Sequence, residues 1–495
     1  MASSPRARIF AAVALLSALI GGCGSSSDNQ LSVVVIGQPD DPFEKGARLS
    51  AAGQLVRASV TEGLVAFDEQ GRVVPALADR WIVADDGQSY IFRLRDGTWR
   101  DGSEITARGT LRSLRAAIEA LRGTSLGLDL DGIAEIREMA GRVIEIRLSY
   151  PAPYLLQLLA QPELGLTSGG SAAGPMRLER TGDTATLTPI LPIELGLPEV
   201  RNWDERVRAI ALFATSGEDA VSRFNAGEAD MVLGGGVATF PHTADVGILR
   251  GTIQLDPVEG LFGLEVASQS GFLADAGNRE ALALAIDRNA LIAPFGVDGW
   301  KASADLVPPS LIAKSGPVAE RWAGLSMEER RALARARVAD WRQSQGASAD
   351  QTRLSVWMPE GPGSDLLFER LEQDYQEIGI LLLRAGKRDA ADLRLMDAVA
   401  RYPAQTWYLN QFSCRTRRAV CSADADAALA SARATADPVE RAELIGKAQA
   451  ALAEANVFIP FGSPIRWSLV RGDAFGFAAN RWGWHPLMPM ALRPK

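Results

Sequence analysis

The stretch EGLVAFDEQGRVVPALADRWIVADDGQSYIFRLRDGTWRDGSEITA (62–107) decides the fold of this chain. Its apolar runs are short and are separated by the turn sequences Asp85-Asp86-Gly87 and Asp101-Gly102. Between these turns, residues 90–95 alternate Tyr, Phe and Leu with Ile, Arg and Arg. This period of two predicts a strand with one inward and one outward face. The pattern of residues 106–121 predicts that a helix follows.

The segments on either side of this stretch alternate strand and helix patterns, which predicts an α/β fold. The run from Leu31 to Gly37 is apolar and β-branched, so it predicts an early strand. Capping sequences at Ser326 and Asp437 mark two later helix starts. The other predicted elements are a helix at 49–64, strands at 206–214 and 229–232, helices at 217–226 and 278–292, a β-α-β unit at 353–357, 364–378 and 379–383, and closing strands at 458–461 and 465–470.

The composition is that of a folded globular protein with more than one core. The chain has 495 residues, of which 47% are hydrophobic and 23% charged. This length predicts two or three domains. The net charge is −8, which argues against nucleic acid as a partner, because such binding depends on Lys and Arg neutralising phosphates.

The first residues have the order of a secretory signal. Arg6 and Arg8 precede an apolar run from Ile9 to Ile20, which is too short to span a bilayer comfortably. The sequence Leu19-Ile20-Gly21-Gly22-Cys23 resembles a bacterial lipobox. We therefore expect a signal peptide at 1–22, a lipid anchor such as palmitate on Cys23, and a polar tether at 23–30. The alternative is an ordinary cleavage nearby, with Cys23 incidental.

The two remaining cysteines, Cys414 and Cys421, lie close together in a chain that is expected to be exported. This context favours a short-loop disulfide, and two free thiols are the alternative. A metal site is not predicted, because the only histidines, His242 and His485, are far from the cysteines in sequence. No cofactor is expected.

Catalytic motifs are missing from the sequence. It has no Gly-x-Ser-x-Gly elbow, no phosphate loop with Gly-Lys-Ser/Thr and no His-Glu-x-x-His. The cluster Gly234-Gly235-Gly236 lacks the spacing that cradles phosphate, so we interpret it as a turn. The sequence therefore predicts no enzyme, with a hydrolase as the remaining catalytic alternative.

Four segments of the opening stretch, in this order and spacing, resemble the extracellular solute-binding proteins of family 5, which serve peptide importers. They are EGL (62–64), PALADRW (75–81), DDGQSYIFRLRDG (85–97) and DGSEITA (101–107). Weaker resemblances follow in GPMR (174–177), FNAGEAD (224–230) and NREALALAIDR (278–288).

This resemblance implies a periplasmic binding protein-like, two-lobed clamp of class II, with an extra N-terminal subdomain. The implied division places lobe I at 31–48, 168–262 and 455–495, the extra subdomain at 49–167, and lobe II at 263–454. It implies a monomer that holds its ligand between the lobes and closes by a hinge motion. The implied location is the periplasm or cell envelope, where a lipid anchors the protein to a membrane.

The chain departs from the family where peptide-binding members carry an acid for the ligand's amino group. Here Ala400 or Arg401 stands at that place, followed by Tyr402. Arginine suits a carboxylate and repels an ammonium. We therefore expect a ligand without a free amino terminus, such as a blocked peptide or another anionic or amide-rich solute. The alternative is that Arg401 is a surface residue.

Aromatic side chains are the other candidates for the ligand site. Trp357, Trp407 and Tyr408 provide large contact areas at low entropic cost, although each is equally suited to a core. Asp389 and Asp392 are candidates to replace the missing acid.

The predicted function is therefore that of a solute-binding lipoprotein. It captures a peptide or peptide-like ligand and delivers it to the permease of an ATP-binding cassette (ABC) importer. The alternative is a relative of the same fold that has left transport and acts as a ligand receptor or an envelope structural protein.

Overall fold

The structure is a computed structural model that describes residues 29–494, except 247–251, 313–321, 323, 346–351, 417–419 and 473. The predicted signal peptide at 1–22, Cys23 and most of the tether lie outside the described residues.

The strands belong to two large sheets, one sheet of a smaller unit and two short hairpins. They are β1 Gln30–Ile36, β2 Val65–Phe67, β3 Val73–Pro75, β4 Ala78–Val83, β5 Ser89–Leu94, β6 Ile133–Glu138, β7 Val143–Leu148, β8 Thr167–Ser168, β9 Ser171–Ala172, β10 Met176–Thr181, β11 Thr184–Pro189, β12 Ala209–Thr215, β13 Met231–Gly235, β14 Ile253–Asp256, β15 Gly260–Val266, β16 Thr352–Trp357, β17 Ile380–Arg384, β18 Leu393–Val399, β19 Phe458–Gly462 and β20 Arg466–Val470.

Helices alternate with these strands along most of the chain. They are α1 Ala51–Val60, α2 Ala107–Ala120, α3 Ser125–Leu130, α4 Leu155–Leu159, α5 Trp203–Arg206, α6 Gly217–Ala226, α7 Ala276–Ala285, α8 Arg288–Ile292, α9 Met327–Ser344, α10 Pro362–Gln376, α11 Gln405–Asn410, α12 Ala423–Ala434, α13 Pro438–Ala455 and α14 Leu487–Met490. The α/β class predicted from the sequence is confirmed.

The first large sheet has seven strands in the order β10-β11-β12-β1-β13-β20-β14. Its central strand β1 pairs in parallel with β12 and β13, and it is buried on both faces, as its continuous apolar run requires. Leu31, Val33 and Val35 pack into one hydrophobic cluster, while Val34 points into the other.

The second large sheet has five strands in the order β17-β16-β18-β15-β19. Strands β16 and β17 are parallel and are joined by α10, so the predicted β-α-β unit is confirmed. Strand β15 lies between β18 and β19 and is buried along its whole length.

The opening stretch forms most of a smaller unit whose sheet has the order β4-β5-β7-β6. The predicted alternation is confirmed on β5, where Tyr90, Phe92 and Leu94 are buried and Arg93 is exposed. Arg95 is buried and lies 2.6 Å from the Glu62 carboxylate, so an ion pair ties two of the motifs together. Burial raises the pKa of Glu62, and Arg95 opposes that rise.

Two predicted helix starts are confirmed, and one predicted helix is corrected. The Ser326 side chain accepts from the Glu329 amide, and Glu329 accepts from the Ser326 amide at 2.8 Å. Asp437 caps α13 through the Val439 amide. The single helix expected over 278–292 was wrong, because the structure breaks it into α7 and α8. Asp287 accepts from the Ala290 amide and so begins a new helix instead of continuing the old one.

Two adjacent short connections join the large sheets. Residues 257–259 lead from β14 to β15, and residues 463–465 lead from β19 back to β20. In each sheet the two connected strands are direct neighbours, β14 beside β20 and β15 beside β19. The connections therefore run side by side.

A buried carboxylate in the smaller unit gives the first testable prediction. Glu145 on β7 accepts hydrogen bonds from Ser89 at 2.7 Å and from Arg147 at 2.9 Å, which lower its pKa from 4.5 to about 2. The resulting stability is present above the ordinary pKa and is lost as pH falls towards 2. We expect Glu145→Gln to lower the free energy of unfolding by about 1 kcal/mol at pH 7, a modest value because the arginine partners are partly exposed.

Urea unfolding at several pH values measures this effect. The difference between Glu145→Gln and the wild type should shrink steadily between pH 5 and pH 2.5. Glu104→Gln, at an exposed position of the same unit outside its four-stranded sheet, is the control and should change little at any pH. A difference that stays constant with pH would assign the loss to packing rather than to charge.

In the described part of the chain, we find no helix that combines enough length with enough apolar character for a membrane crossing. The same residues contain no cluster of three or more His, Cys, Asp or Glu side chains suited to a metal ion.

Candidate binding cavity

A cavity of about 680 Å³ lies where the two large sheets and the smaller unit meet. Its size is within the range of small-molecule sites in proteins. The seven-stranded side contributes residues 47–49, Ala51 and Arg466, and the C-terminal loop contributes residues 482–484. The smaller unit contributes Leu121 and residues 123–126 and 161–163. The five-stranded side contributes Glu265, the end of β18, and residues on and around α11.

An ion pair crosses this cavity between the two large sheets. Asp397 on β18 lies 2.6 Å from Nη1 of Arg466 on β20, and Nη2 of Arg466 donates to the Asp397 carbonyl at 3.0 Å. The Val237 amide, which follows β13, also donates to the Asp397 carboxylate at 3.3 Å. These bonds hold the facing sheets in the arrangement described.

Arg401 lies in the cavity wall and is already engaged by an acid from the smaller unit. Its Nη1 atom lies 2.7 Å from Oε1 of Glu163, whose side chain is only 3% exposed. The other carboxylate oxygen of Glu163, Oε2, is buried and has no hydrogen-bond partner within the described residues. Arg57 is also near, and burial lowers its pKa while Glu163 opposes that change.

Tyr402 is fully buried behind the cavity wall rather than in it. Its hydroxyl donates to Asp129 at the end of the smaller unit's α3, and its ring stacks on Tyr154 with centroids 5.3 Å apart. Thr406 donates to the other oxygen of Asp129 at 2.7 Å. Burial raises the pKa of Asp129, and these hydroxyl donors oppose that rise. This network joins the smaller unit to the segment before α11.

The aromatic candidates separate into one that lines the cavity and two that do not. Trp407 lines it, and its ring meets Tyr408 edge-on at 4.8 Å. Tyr408 is fully buried among core residues, and its hydroxyl has no hydrogen-bond partner in the described structure. Trp357 is half-buried and lies under the guanidinium of Arg388, which does line the cavity.

The structure joins Cys414 to Cys421 in a disulfide, with their Cα atoms 5.1 Å apart. The Cys414 amide donates to Asp426 on α12 at 3.0 Å. These bonds fix the segment that follows α11. Trp407 on α11 and Gln411 directly after it both line the cavity.

Several cavity residues were missed by the sequence reasoning. Glu163 lies 238 positions from Arg401, and no local pattern marks it as a partner. Trp482 and Trp484 lie in a C-terminal loop for which the sequence predicted no role, and Arg394 lies on β18 without a motif. Asp389 is fully exposed, and Asp392 accepts from the Ser355 hydroxyl at 2.7 Å, so neither replaces the missing acid in the cavity wall.

The arrangement is suited to binding. His485 and Asp256 lie 3.0 Å apart and are both buried, and the histidine ring stacks on Phe477. Within the described residues neither member of this pair lines the cavity. The side chains that the cavity offers to a ligand are charged groups and indole rings.

Comparison with known proteins agrees with these features. Residues 72–188 match the model of the bacterial extracellular solute-binding proteins, family 5. Over 133 residues the chain is 30% identical to the probable deoxycholate-binding periplasmic protein YgiS of Escherichia coli, covering 23% of this chain and 25% of that protein. It is 23% identical over 379 residues to the periplasmic murein peptide-binding protein MppA of E. coli, covering 70% and 66%. The matches thus span from a quarter to about two thirds of these relatives.

Solved structures match over nearly the whole chain. The Haemophilus influenzae OppA complex with the peptide RPPGFSPFR superposes with a TM-score of 0.77 at 17% identity, covering 94% of this chain and all of that one. The E. coli murein tripeptide binding protein MppA gives a TM-score of 0.77 at 17% identity, covering 95% and 99%. These likenesses confirm the two-lobed clamp fold.

Proposed function

We propose that this chain, an extracellular solute-binding protein of family 5, captures a peptide or peptide-like ligand between two lobes. It then delivers this ligand to the permease of an ABC importer. The observation that carries the proposal is the cavity of about 680 Å³ between the two large sheets. Each lobe alone provides only part of its wall, so a bound ligand stabilises the closed arrangement.

We further propose that the lobes divide at the two short connections. Residues 257–259 and 463–465 lie close to the lobe boundaries expected from the sequence, which were 262/263 and 454/455. Two side-by-side connections of three residues each, running in opposite directions, restrict the relative motion of the sheets to a simple hinge. Closure then forms the Asp397–Arg466 ion pair across the cavity.

The ligand is proposed to lack a free amino terminus. Arg401 and Arg57 both lie near Glu163, so the surroundings of this carboxylate carry an excess of positive charge that disfavours an ammonium group. A ligand whose amino end is blocked carries no ammonium and so avoids this repulsion.

The proposed location is the cell envelope. The two relatives YgiS and MppA are named as periplasmic proteins, and the order of Arg6, the apolar run and Cys23 supports export followed by lipid anchoring. The proposed anchor leaves the clamp free to act as a monomer beside the importer.

Thermal unfolding in the presence of a solute panel tests the proposal. The panel contains N-acetylated and free-amino dipeptides and tripeptides, with maltose as the non-peptide control. A ligand at a hundred times its Kd adds about 2.7 kcal/mol of stability, which raises the unfolding midpoint by a few degrees.

A higher unfolding midpoint with the acetylated peptides alone would support the binding function and the proposal that the ligand has no free amino group. A rise with free-amino peptides of equal size would retain the function and contradict the proposed blocked ligand. An unchanged midpoint with every peptide, at concentrations up to several millimolar, would contradict peptide capture and favour the non-transport alternative.

A further inference from the structure

The C-terminal loop, which leads from β20 to α14, folds back onto the start of the connection at 257–259. Asp256 is the last residue of β14 and directly precedes this connection. Its carboxylate is buried, and the loop engages both of its oxygens. The Asn480 amide donates to Oδ1 at 2.9 Å, and Nε2 of His485 lies 3.0 Å from Oδ2. One buried acid therefore holds the loop at two points.

The contact between His485 and Asp256 is a hydrogen bond in the protein interior. The two side chains are only 5% and 2% exposed. Because an ionised carboxylate can only accept, Nε2 of His485 is the donor. A buried carboxylate that loses a donor still bears the cost of leaving water, so this bond is needed to keep the loop attached to β14.

The loop between the two points of attachment is held by its own hydrogen bonds. The side-chain oxygen of Asn480 accepts from the Trp482 amide at 3.0 Å and from the Trp484 amide at 3.3 Å. Its side-chain nitrogen donates to the Trp484 carbonyl at 2.6 Å. Gly483, between the two indoles, has a φ of +55°, in the left-handed region that favours glycine. The directions of both tryptophans therefore depend on where Asn480 and His485 are attached.

The same loop contacts the connection itself and the smaller unit. Arg481 lies 3.6 Å from Glu259, the last residue of the connection. Nε1 of Trp482 donates at 3.0 Å to the carbonyl of Gly71, in the turn between β2 and β3. The loop therefore lies where the seven-stranded sheet, the smaller unit and the connection to β15 meet.

Trp482 and Trp484 line the cavity, and the pair behind them lies outside its wall in the described structure. Indole rings that are already fixed lose little conformational freedom when a ligand binds, so their full contact area contributes to affinity. A buried pair that fixes this loop can therefore change ligand affinity without contacting the ligand.

We propose that His485 and Asp256 are positioning residues for ligand capture. Their hydrogen bond holds the indoles of Trp482 and Trp484 in the orientation that binds ligand, beside the connection between the two sheets. This inference rests on the proposed function, since the two indoles belong to the wall of the same cavity.

Isothermal titration calorimetry with the full chain tests this inference. The ligand is whichever tripeptide of the solute panel, acetylated or free-amino, the wild type binds more tightly. His485→Leu removes the donor, and we expect it to weaken binding by roughly tenfold to a hundredfold. The amide of His485→Gln can still donate to Asp256, so its affinity should stay within about threefold of the wild type. His242→Gln changes the chain's other histidine, outside the cavity wall, and should leave the affinity unchanged.

A double-mutant cycle separates positioning from a general effect on folding. Trp484→Ala removes one of the two indoles that the pair positions. We expect the loss of affinity caused by His485→Leu to be at least about threefold smaller in this background than in the wild type. If His485→Leu does not fold, His485→Asn takes its place in the cycle, because its shorter amide remains polar but does not reach Asp256.

The outcomes distinguish the inference from the function on which it rests. Unchanged affinity in His485→Leu, or equal losses with and without Trp484, would overturn the positioning role while peptide capture stands. A loss in His485→Gln as large as in His485→Leu would show that the hydrogen bond is not responsible and would also overturn it. Failure of the wild type to bind any peptide would overturn the proposed function and this inference with it.

Discussion

Replacing Arg401 by alanine is expected to lower the free energy of unfolding by about 3 kcal/mol, because the substitution leaves Glu163 buried and without its charge partner. The two side chains are 2.7 Å apart, and the carboxylate is only 3% exposed. A carboxylate at this depth depends on Arg401 for compensation, since Arg57 is not in hydrogen-bond contact with it in the described structure. Urea unfolding at pH 7 measures the loss.

A second ion pair between the same two parts of the molecule provides the matched control. Arg415 lies 2.7 Å from Asp131 of the smaller unit, but these side chains are 56% and 40% exposed. Arg415→Ala should therefore cost well under 1 kcal/mol. Adding Glu163→Gln to Arg401→Ala should recover a large part of the loss, because the uncompensated charge disappears. Equal, small losses for Arg401→Ala and Arg415→Ala would contradict the buried pair.

Gly174→Ala is expected to have an effect of similar size for a steric reason. A Cβ atom at this position would lie 2.2 Å from the Val60 carbonyl carbon and 2.4 Å from the Thr61 nitrogen. The Gly174 amide also donates to the Val60 carbonyl at 3.2 Å, so the two backbones are held together. Because both sides of the contact are main chain, no side-chain rotation relieves it. We expect a loss of about 3 kcal/mol or more, the upper end of the cost of overpacking.

Gly446→Ala is the opposite case and serves as the control. This glycine lies within α13, and a Cβ atom there would meet nothing within 4 Å. The substitution should raise stability by about 0.5–1 kcal/mol, because alanine favours the helix. Thermal unfolding midpoints that move in opposite directions for the two variants would support the assignment. An unchanged midpoint for Gly174→Ala would mean that the end of α1 does not approach Gly174 closely in solution.

The structure of the opening stretch (62–107) was predictable because it follows from patterns within that stretch itself. Turn sequences and a period of two define β5, and the structure places its side chains on the predicted faces. Gly174 belongs to a short sequence motif, but the structural need for glycine there comes from a segment distant in sequence, because the end of α1 packs against it. The break between α7 and α8 was missed because the helical spacing continues through Asp287, whose side chain caps the second helix and whose amide donates to the distant Asp374.

The cavity was less predictable than the fold because its wall is assembled from distant segments. Arg401 and Trp407 were named from the sequence and do line it. Arg48, Glu163 and Trp484 line the same cavity but come from three distant parts of the chain, and sequence spacing does not indicate that these meet. Tyr402 illustrates a further difficulty. It adjoins Arg401 in sequence, but its ring turns to Tyr154 and its hydroxyl to Asp129 behind the wall.

The position of β20 in the seven-stranded sheet affects how the chain reaches its native state. This strand is formed by residues 466–470, near the end of the chain, yet it lies between β13 and β14. Among the described strands β14 has no other neighbour in that sheet, so it joins only after almost the whole polypeptide is available. Until then β13 presents an open edge that other chains can pair with. Contacts this distant in sequence form slowly. Folding of the seven-stranded sheet is therefore completed late, and newly made chains pass through an aggregation-prone interval that a C-terminal truncation before residue 466 would make permanent.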